Sequence, residues 1–241
     1  MIYNAEDVLL DSAKHILVDS NILISYFDKK HKFHNDTYKR LSPIYLGGAN
    51  FYYVQPCLLE FKEYWRRKLI TECIELQMTL GFNFYRKFKT EYLDFKTQNS
   101  KRDHLYLNDR QLKDLRLTLE NVAAGKGLLH WFQLCHLALS GHLSKIETQL
   151  SNTRFIYSHF NDNFLFPSSN KSKWPKWPGA DLIQEKFGLA SNDAAVLNMV
   201  NGAKGIDSFI SNDGDMLFAI SNGALNSNIN TYTLLDRSNY I

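Results

Sequence analysis

The chain has 241 residues, of which 44% are hydrophobic and 22% are charged, with a formal net charge of +3. This composition excludes a disordered or fibrous protein, and the length suits one domain, with or without a large insertion. Three widely spaced cysteines without a C-x-x-C pair do not suggest a disulfide framework or a zinc knuckle. The charge is too small to indicate nucleic-acid binding by itself.

The N-terminal segment MIYNAEDVLL carries acids where a signal peptide has basic residues. No later apolar run reaches the length of about 18 residues that a membrane-spanning helix needs. We therefore expect a cytoplasmic protein in a reducing compartment, with no membrane partner.

The first strand-to-helix corner lies in the stretch HILVDSNILISYFD, residues 15–28. An apolar strand-like run ends at Val18, Asp19 follows, and a helix-like apolar run begins at Ile22. Ligands of α/β proteins bind beyond the carboxyl ends of the strands, so Asp19 is a candidate site residue. Helix capping is the ordinary alternative for an acid at such a corner.

A second corner follows in the next part of the chain. The pattern predicts a helix over residues 34–46 and a short aromatic strand over 51–54. Pro56 then stands where the first turn of a helix tolerates proline. Glu60 lies near the start of this long helix and is the second carboxylate at a strand-to-helix corner.

Two more corners are predicted in the last third of the chain. Ser191 or Asn192 is a suitable cap for a helix with Asp193 in its first turn. A strand over residues 206–210 leads into Ser211-Asn212-Asp213-Gly214-Asp215 and another apolar run, and the last strand is predicted over 229–235.

The alternation of strands and helices predicts an α/β fold with a central parallel sheet flanked by helices. Residues 82–165 have helical periodicity almost throughout, and residues 167–179 form a loop rich in proline, serine and lysine. We therefore expect a single domain over 1–241, formed by about 1–80 and 180–241, with the rest as a mostly helical insertion and a loop.

Right-handed crossovers place the carboxyl ends of parallel strands on one edge of a sheet, so the corner acids are expected to converge. Each acid taken singly is explained by capping, because an acid near a helix N-terminus stabilises it by about 0.3 to 1 kcal/mol. Several carboxylates close together repel each other and raise one another's pKa. A bound divalent cation removes that cost.

The segments VDSNIL (18–23), SNDAAVLNMV (191–200) and FISNDGDM (209–216), together with Glu60, resemble the PIN-domain nucleases. The resemblance covers about residues 14–75 and 180–238. It implies a central parallel sheet flanked by helices and metal-dependent cleavage of RNA, less often of other nucleic acids. The path from the second acid to the third is far longer here than is typical of the family.

The resemblance also implies which residues hold the metal. The expected catalytic residues and ligands of Mg²⁺ or Mn²⁺ are Asp19, Glu60, Asp193 and Asp213, with Asp215 as a further metal ligand. Hard oxygen donors of this kind suit these cations. Three neighbours are candidates for hydrogen bonding to the carboxylates, although turn and cap roles explain them equally well: Ser20, Asn21 and Ser211.

Basic residues give a weaker indication of nucleic-acid binding. Between residues 61 and 102 there are ten basic residues and five acids, and we expect phosphate contacts from Arg66, Arg67 and Lys68. The loop before residue 178 has a composition suited to stacking on unpaired bases, contributed by Lys173, Trp174, Lys176 and Trp177. A solvated helix face and tryptophans folded onto the core are the alternative explanations.

The sequence thus predicts a metal-dependent nuclease that hydrolyses phosphodiester bonds, with RNA as the expected substrate and single-stranded DNA as an alternative. One different interpretation is a catalytically inactive PIN-like scaffold that binds nucleic acid or a protein. Another is a toxin or defence-system ribonuclease of the toxin-antitoxin type, controlled by an inhibitor protein. A second copy of the chain is a further expected partner.

Overall fold

The computed structural model describes residues 2–4, 12–81, 84, 86–101, 105–123, 130–157, 177–203 and 205–234. The chain divides into two compact units, Met1–Phe61 with Gln149–Ile241 and Lys62–Thr148. The first unit is α/β, with a parallel sheet flanked by helices, and this confirms the predicted fold class.

The elements of the first unit are β1 (Ile2–Asn4), β2 (His15–Val18), α1 (Ser20–Phe27), α2 (His34–Leu46), β3 (Asn50–Tyr53), the start of α3 (Gln55–Thr79), β4 (Phe155–Tyr157), α8 (Trp177–Phe187), α9 (Ser191–Gly202), β5 (Ser208–Ile210), α10 (Gly214–Ser221) and β6 (Asn230–Thr233). The second unit holds the rest of α3, then α4 (Arg86–Lys101), α5 (Asp109–Ala123), α6 (Trp131–Leu139) and most of α7 (His142–Ser151). None of the helices in the described ranges is long and apolar enough to cross a membrane.

The sheet of the first unit has six strands in the order β1-β6-β5-β2-β3-β4, and all neighbouring strands are parallel. Its central strand β2 is a continuous apolar run, as expected for a strand covered on both faces, with Ile16, Leu17 and Val18 fully buried. Val18 pairs with Ile210 of β5. The two central strands therefore end side by side, and the residues that follow them begin at the same edge.

The structure corrects the predicted limits of the helical segment. Residues Phe155–Tyr157, placed by the periodicity within a helical stretch that ended at 165, form β4 and pair with β3. A strand of three residues is too short to display its period of two. The second compact unit covers Lys62–Thr148. Most of the predicted loop 167–179 lies outside the described residues, and its last residues begin α8.

The second unit has a hydrophobic core of its own, which includes the fully buried Phe88, Leu115 and Leu134. The cap at the start of α5 follows the local rule. Gln111 N donates to Asn108 Oδ1 (2.9 Å), and Asn108 N donates to Gln111 Oε1 (3.0 Å), so each residue satisfies a backbone group of the other. The unit is therefore built as a helical body around an apolar centre.

Two phenylalanines of the first unit provide a test of where its core lies. Phe209 in β5 is fully buried, whereas Phe218 in α10 is 66% exposed. We expect Phe209→Ala to lower the free energy of unfolding by about 3 to 5 kcal/mol, because it leaves a cavity. Phe218→Ala is expected to change it by less than about 1 kcal/mol. Urea denaturation measures both, and equal losses would contradict the observed packing.

Candidate functional site

Two of the predicted acids lie at neighbouring corners of the sheet. Asp19 follows β2 and immediately precedes α1, and Asp213 follows β5 and immediately precedes α10. The backbone N–H of Asp19 donates to the carbonyl oxygen of Ile210 (3.0 Å), which extends the pairing of the two strands by one residue. The parallel register therefore brings the two corners together, as the sequence predicted.

The carboxylate of Asp19 is only 3% exposed, and hydrogen-bond donors surround it. Its Oδ1 accepts from the backbone N of Ser20 (2.7 Å), and its Oδ2 accepts from Asn21 Nδ2 (2.6 Å) and Ser211 Oγ (2.8 Å). An ordinary N-cap accepts from the second or third residue of the helix, and Asp19 accepts from the first. Capping therefore does not account for its burial or for its side-chain donors.

The same donors also tie the corners to each other. Ser211 Oγ accepts from the backbone N of Asp213 (3.0 Å), and Asn21 Oδ1 accepts from the backbone N of Asn212 (3.2 Å). Asp213 Oδ1 accepts from the backbone N of Met216 (2.9 Å), which is ordinary N-cap geometry. Asp213 is thus a genuine helix cap as well as a candidate ligand.

Glu60 joins this group from α3. Its Oε2 accepts from Ser20 Oγ (2.5 Å), and its Oε1 accepts from Asn192 Nδ2 (3.0 Å). Ser20 Oγ lies farther from Asp19 Oδ1 (3.4 Å), so its hydroxyl serves Glu60 more closely than Asp19. Of the three predicted hydrogen-bonding neighbours, Asn21 and Ser211 hold Asp19, and Ser20 links Asp19 to Glu60.

The electrostatics of Asp19 reflect this crowding. Burial raises its pKa to about 7, although the hydrogen bonds from Ser211 and Ser20 favour the charged form. The negative charges of Glu60 and Asp193 make smaller contributions to the same rise in pKa. Burial outweighs the hydrogen bonds because the carboxylate has almost no contact with water.

Asp193 completes the group from the first turn of α9. Its pKa is raised to about 6, first by burial and then by the charges of Asp213, Glu60 and Asp215. Asp215 itself is exposed in the first turn of α10. The charges of Glu60 and Asp193 therefore act on Asp19, and those of Asp213, Glu60 and Asp215 act on Asp193.

The kind of donor in this group fits Mg²⁺ or Mn²⁺, since the side chains are all carboxylates. Their present arrangement is more open than a finished ligand set. Among the described residues, no three acid, histidine or cysteine side chains are close enough to form a metal-binding group as they stand. Asp19 is held by its hydrogen bonds, whereas Asp215 is exposed.

The residues predicted to contact phosphates are held by protein groups to different extents. The guanidinium of Arg66 pairs with the carboxylates of Glu63 (2.5 Å) and Asp109. Lys68 is 6% exposed, and its ammonium lies 4.4 Å from the centroid of the Trp65 ring, so it does not face solvent. Arg67 is partly exposed. Of these three residues, Arg67 fits the predicted phosphate contact best.

The predicted stacking loop is largely outside the part of the chain that the structure describes. This applies to Lys173, Trp174 and Lys176. Trp177 is described only as the first residue of α8. The stacking hypothesis for these four residues stays a prediction from the sequence.

Two asparagines of the site were not recognised from the sequence. Asn192 was interpreted as a cap, but α9 begins after Ala190 without a side-chain cap, and Asn192 donates to Glu60 instead. Asn212 Oδ1 accepts from the backbone N of Leu234 (2.9 Å) and fixes the corner after β5. Both asparagines directly precede a predicted site acid, Asp193 or Asp213, and this position is the sequence feature that indicates a role in the site. Local capping rules do not take it into account.

The buried carboxyl of Asp19 predicts how stability depends on pH. Its ordinary pKa of 3.8 applies in the unfolded chain, and the folded chain raises it to about 7. Between these values the unfolded chain binds fewer protons, so the Asp19 contribution to stability is full at low pH and is lost as the pH rises. From pH 5 to pH 8 the loss is on the order of 2 to 3 kcal/mol.

Urea denaturation in the presence of chelator at pH 5 and pH 8 measures this dependence. Asp19→Asn removes the titrating group, so the change in unfolding free energy between the two pH values should shrink by the amount given above. Asp36→Asn removes an exposed acid from the first turn of α2 and is the matched control. Identical pH dependence in the unaltered chain and Asp19→Asn would contradict the buried state of this carboxylate.

We compared the chain with protein-family models, with curated proteins and with solved structures, and no match was found in any of the three comparisons. The resemblance to the PIN-domain nucleases remains a prediction from the sequence motifs.

Proposed function

We propose that this chain is a metal-dependent nuclease of the PIN type that hydrolyses phosphodiester bonds in RNA. The observation that supports this most is the surroundings of Asp19, which is buried at the carboxyl edge of the sheet, shares the neighbour Ser20 with Glu60 and feels the charges of Glu60 and Asp193. A shared cation is the simplest reason to collect such charges.

In this proposal Asp19 and Asp213 hold Mg²⁺ or Mn²⁺, and Glu60 and Asp193 complete the coordination directly or through water. The bound cation supplies a Lewis acid that activates water and neutralises the scissile phosphate. The protein fixes the geometry. Asn21 and Ser211 orient Asp19 at Oδ2, and the cap bond to Met216 orients Asp213. Asp215 is the adjustable member of the set.

RNA is the preferred substrate in this proposal because the sequence motifs resemble those of ribonucleases. Single-stranded DNA is the substrate to compare, since the same carboxylates and cation act on either backbone. The difference between the two, the 2′-hydroxyl, must be read by residues outside the acidic group.

Asp213→Asn tests catalysis most cleanly, because asparagine caps a helix about as well as aspartate and the substitution removes only the charge. We expect at least about a 100-fold loss of Mn²⁺-dependent cleavage of single-stranded RNA, and a similar loss for Asp19→Asn. Gel analysis of labelled RNA with Mn²⁺ and with chelator measures it. Circular dichroism checks the fold.

Asp193→Asn and Asp36→Asn form a matched pair, since each removes an acid from the first turn of a helix in the first unit. Only the first is expected to reduce cleavage. Full activity in Asp19→Asn and Asp213→Asn would contradict the site assignment. Equal losses in Asp193→Asn and Asp36→Asn would attribute the effect to helix stability.

A catalytically inactive scaffold is the second candidate, favoured by the absence of a closed metal-ligand group among the described residues. Calorimetric titration with MnCl₂ separates the two functions. If the chain is a nuclease, it binds Mn²⁺, and Asp19→Asn abolishes that binding. If it is an inactive scaffold, these acids do not bind Mn²⁺, and the chain binds RNA or protein without the cation. A toxin or defence role under an inhibitor protein stays a prediction from the sequence.

A further inference from the structure

Glu60 is held at both oxygens of its carboxylate. Ser20 Oγ, at the start of α1, donates to Oε2 (2.5 Å), and Asn192 Nδ2, in the first turn of α9, donates to Oε1 (3.0 Å). Each donor is the sequence neighbour of another acid, because Ser20 follows Asp19 and Asn192 precedes Asp193. Two hydrogen bonds thus set the position of one carboxylate relative to two others.

Helix capping does not explain Asn192. The N-cap of α9 is Ala190, which makes no side-chain hydrogen bond, although Ser191 and Asn192 are both present beside it. Ser191 Oγ donates to Gln184 Oε1 (3.4 Å), and the amide of Asn192 donates to Glu60. The helix begins without the side-chain cap that its own sequence offers.

A purely structural role for this hydrogen bond is also weak. Asn192 is exposed, and a single hydrogen bond there contributes little net stability because water offers an alternative partner. A half-buried glutamate has three side-chain torsions, and a donor on each oxygen restricts the orientation of its carboxylate.

We propose that Asn192 is a positioning residue that, with Ser20, orients the carboxylate of Glu60 for binding a divalent cation. This inference rests on the proposed function. Asn192 touches neither the cation nor the substrate and acts through Glu60. Groups that orient ligands in this way typically change metal affinity about 10- to 100-fold when they are removed.

The chain contains a close control for this residue. Helix α2 begins with His34, Asn35 and Asp36, and α9 begins with Ser191, Asn192 and Asp193, so each has asparagine second and aspartate third. Both asparagines are exposed, and neither helix has a side-chain cap at its N-cap residue. Asn35→Ala therefore reproduces the local change of Asn192→Ala without touching the site.

The test is calorimetric titration of the full chain with MnCl₂. We expect Asn192→Ala to weaken Mn²⁺ binding about 10-fold and Asn35→Ala to leave it unchanged. In a Glu60→Gln background, which is expected to bind Mn²⁺ more weakly but still measurably, Asn192→Ala should cause less than about a twofold further loss. Such non-additivity is expected only if Asn192 acts through Glu60. Thermal unfolding without Mn²⁺ should give the same midpoint for the Asn192 and Asn35 variants.

The outcomes separate this inference from the proposed function. Mn²⁺ binding that is lost in Asp19→Asn but unchanged in Asn192→Ala overturns the positioning role and leaves the nuclease proposal intact. The positioning role is also overturned if Asn192→Ala weakens Mn²⁺ binding about 10-fold even in the Glu60→Gln background. A lower unfolding midpoint in Asn192→Ala, with no such change in Asn35→Ala, overturns it as well. No Mn²⁺ binding by the unaltered chain overturns both.

Discussion

The burial of the Asp19 carboxylate is the constraint on which the rest of the site depends. A charge removed from water is costly unless hydrogen bonds replace the lost hydration, and Asp19 receives them from Ser20, Asn21 and Ser211. Ser211 belongs to the corner after β5, so the arrangement exists only when β2 and β5 pair in their parallel register. The local environment of one acid thus requires the centre of the sheet to be formed.

Around this fixed acid the other carboxylates are progressively less constrained. Glu60 is held at both oxygens, Asp213 has a cap bond, Asp193 is half-buried, and Asp215 is exposed. Their mutual repulsion opposes folding and is not needed for a stable sheet. Functional sites commonly retain local conflicts of this kind, which the surrounding structure offsets.

Capping shows how far local rules extend in this chain. At α5 the rule succeeds, because Asn108 and Gln111 exchange their hydrogen bonds within one turn. At α9 the capping rule fails, because Asn192 does not cap the helix and donates instead to Glu60, 132 positions away in the sequence. Lys68 is a similar case, because its basic character suggested phosphate binding, whereas it is buried and its ammonium lies 5.4 Å from the centroid of the Tyr106 ring, which is outside its own helix.

The sequence by itself determined the α/β class and the two strand-to-helix corners that carry Asp19 and Asp213, because periodicity and corner residues are local signals. Only the tertiary structure decided that Phe155–Tyr157 is a strand, that Asp19 is buried, and that Ser20 and Asn192 share Glu60. A three-residue strand has too few periods to recognise, and burial and long-range donors depend on which segments pair. The local sequence around a residue specifies neither its burial nor its long-range hydrogen-bond donors.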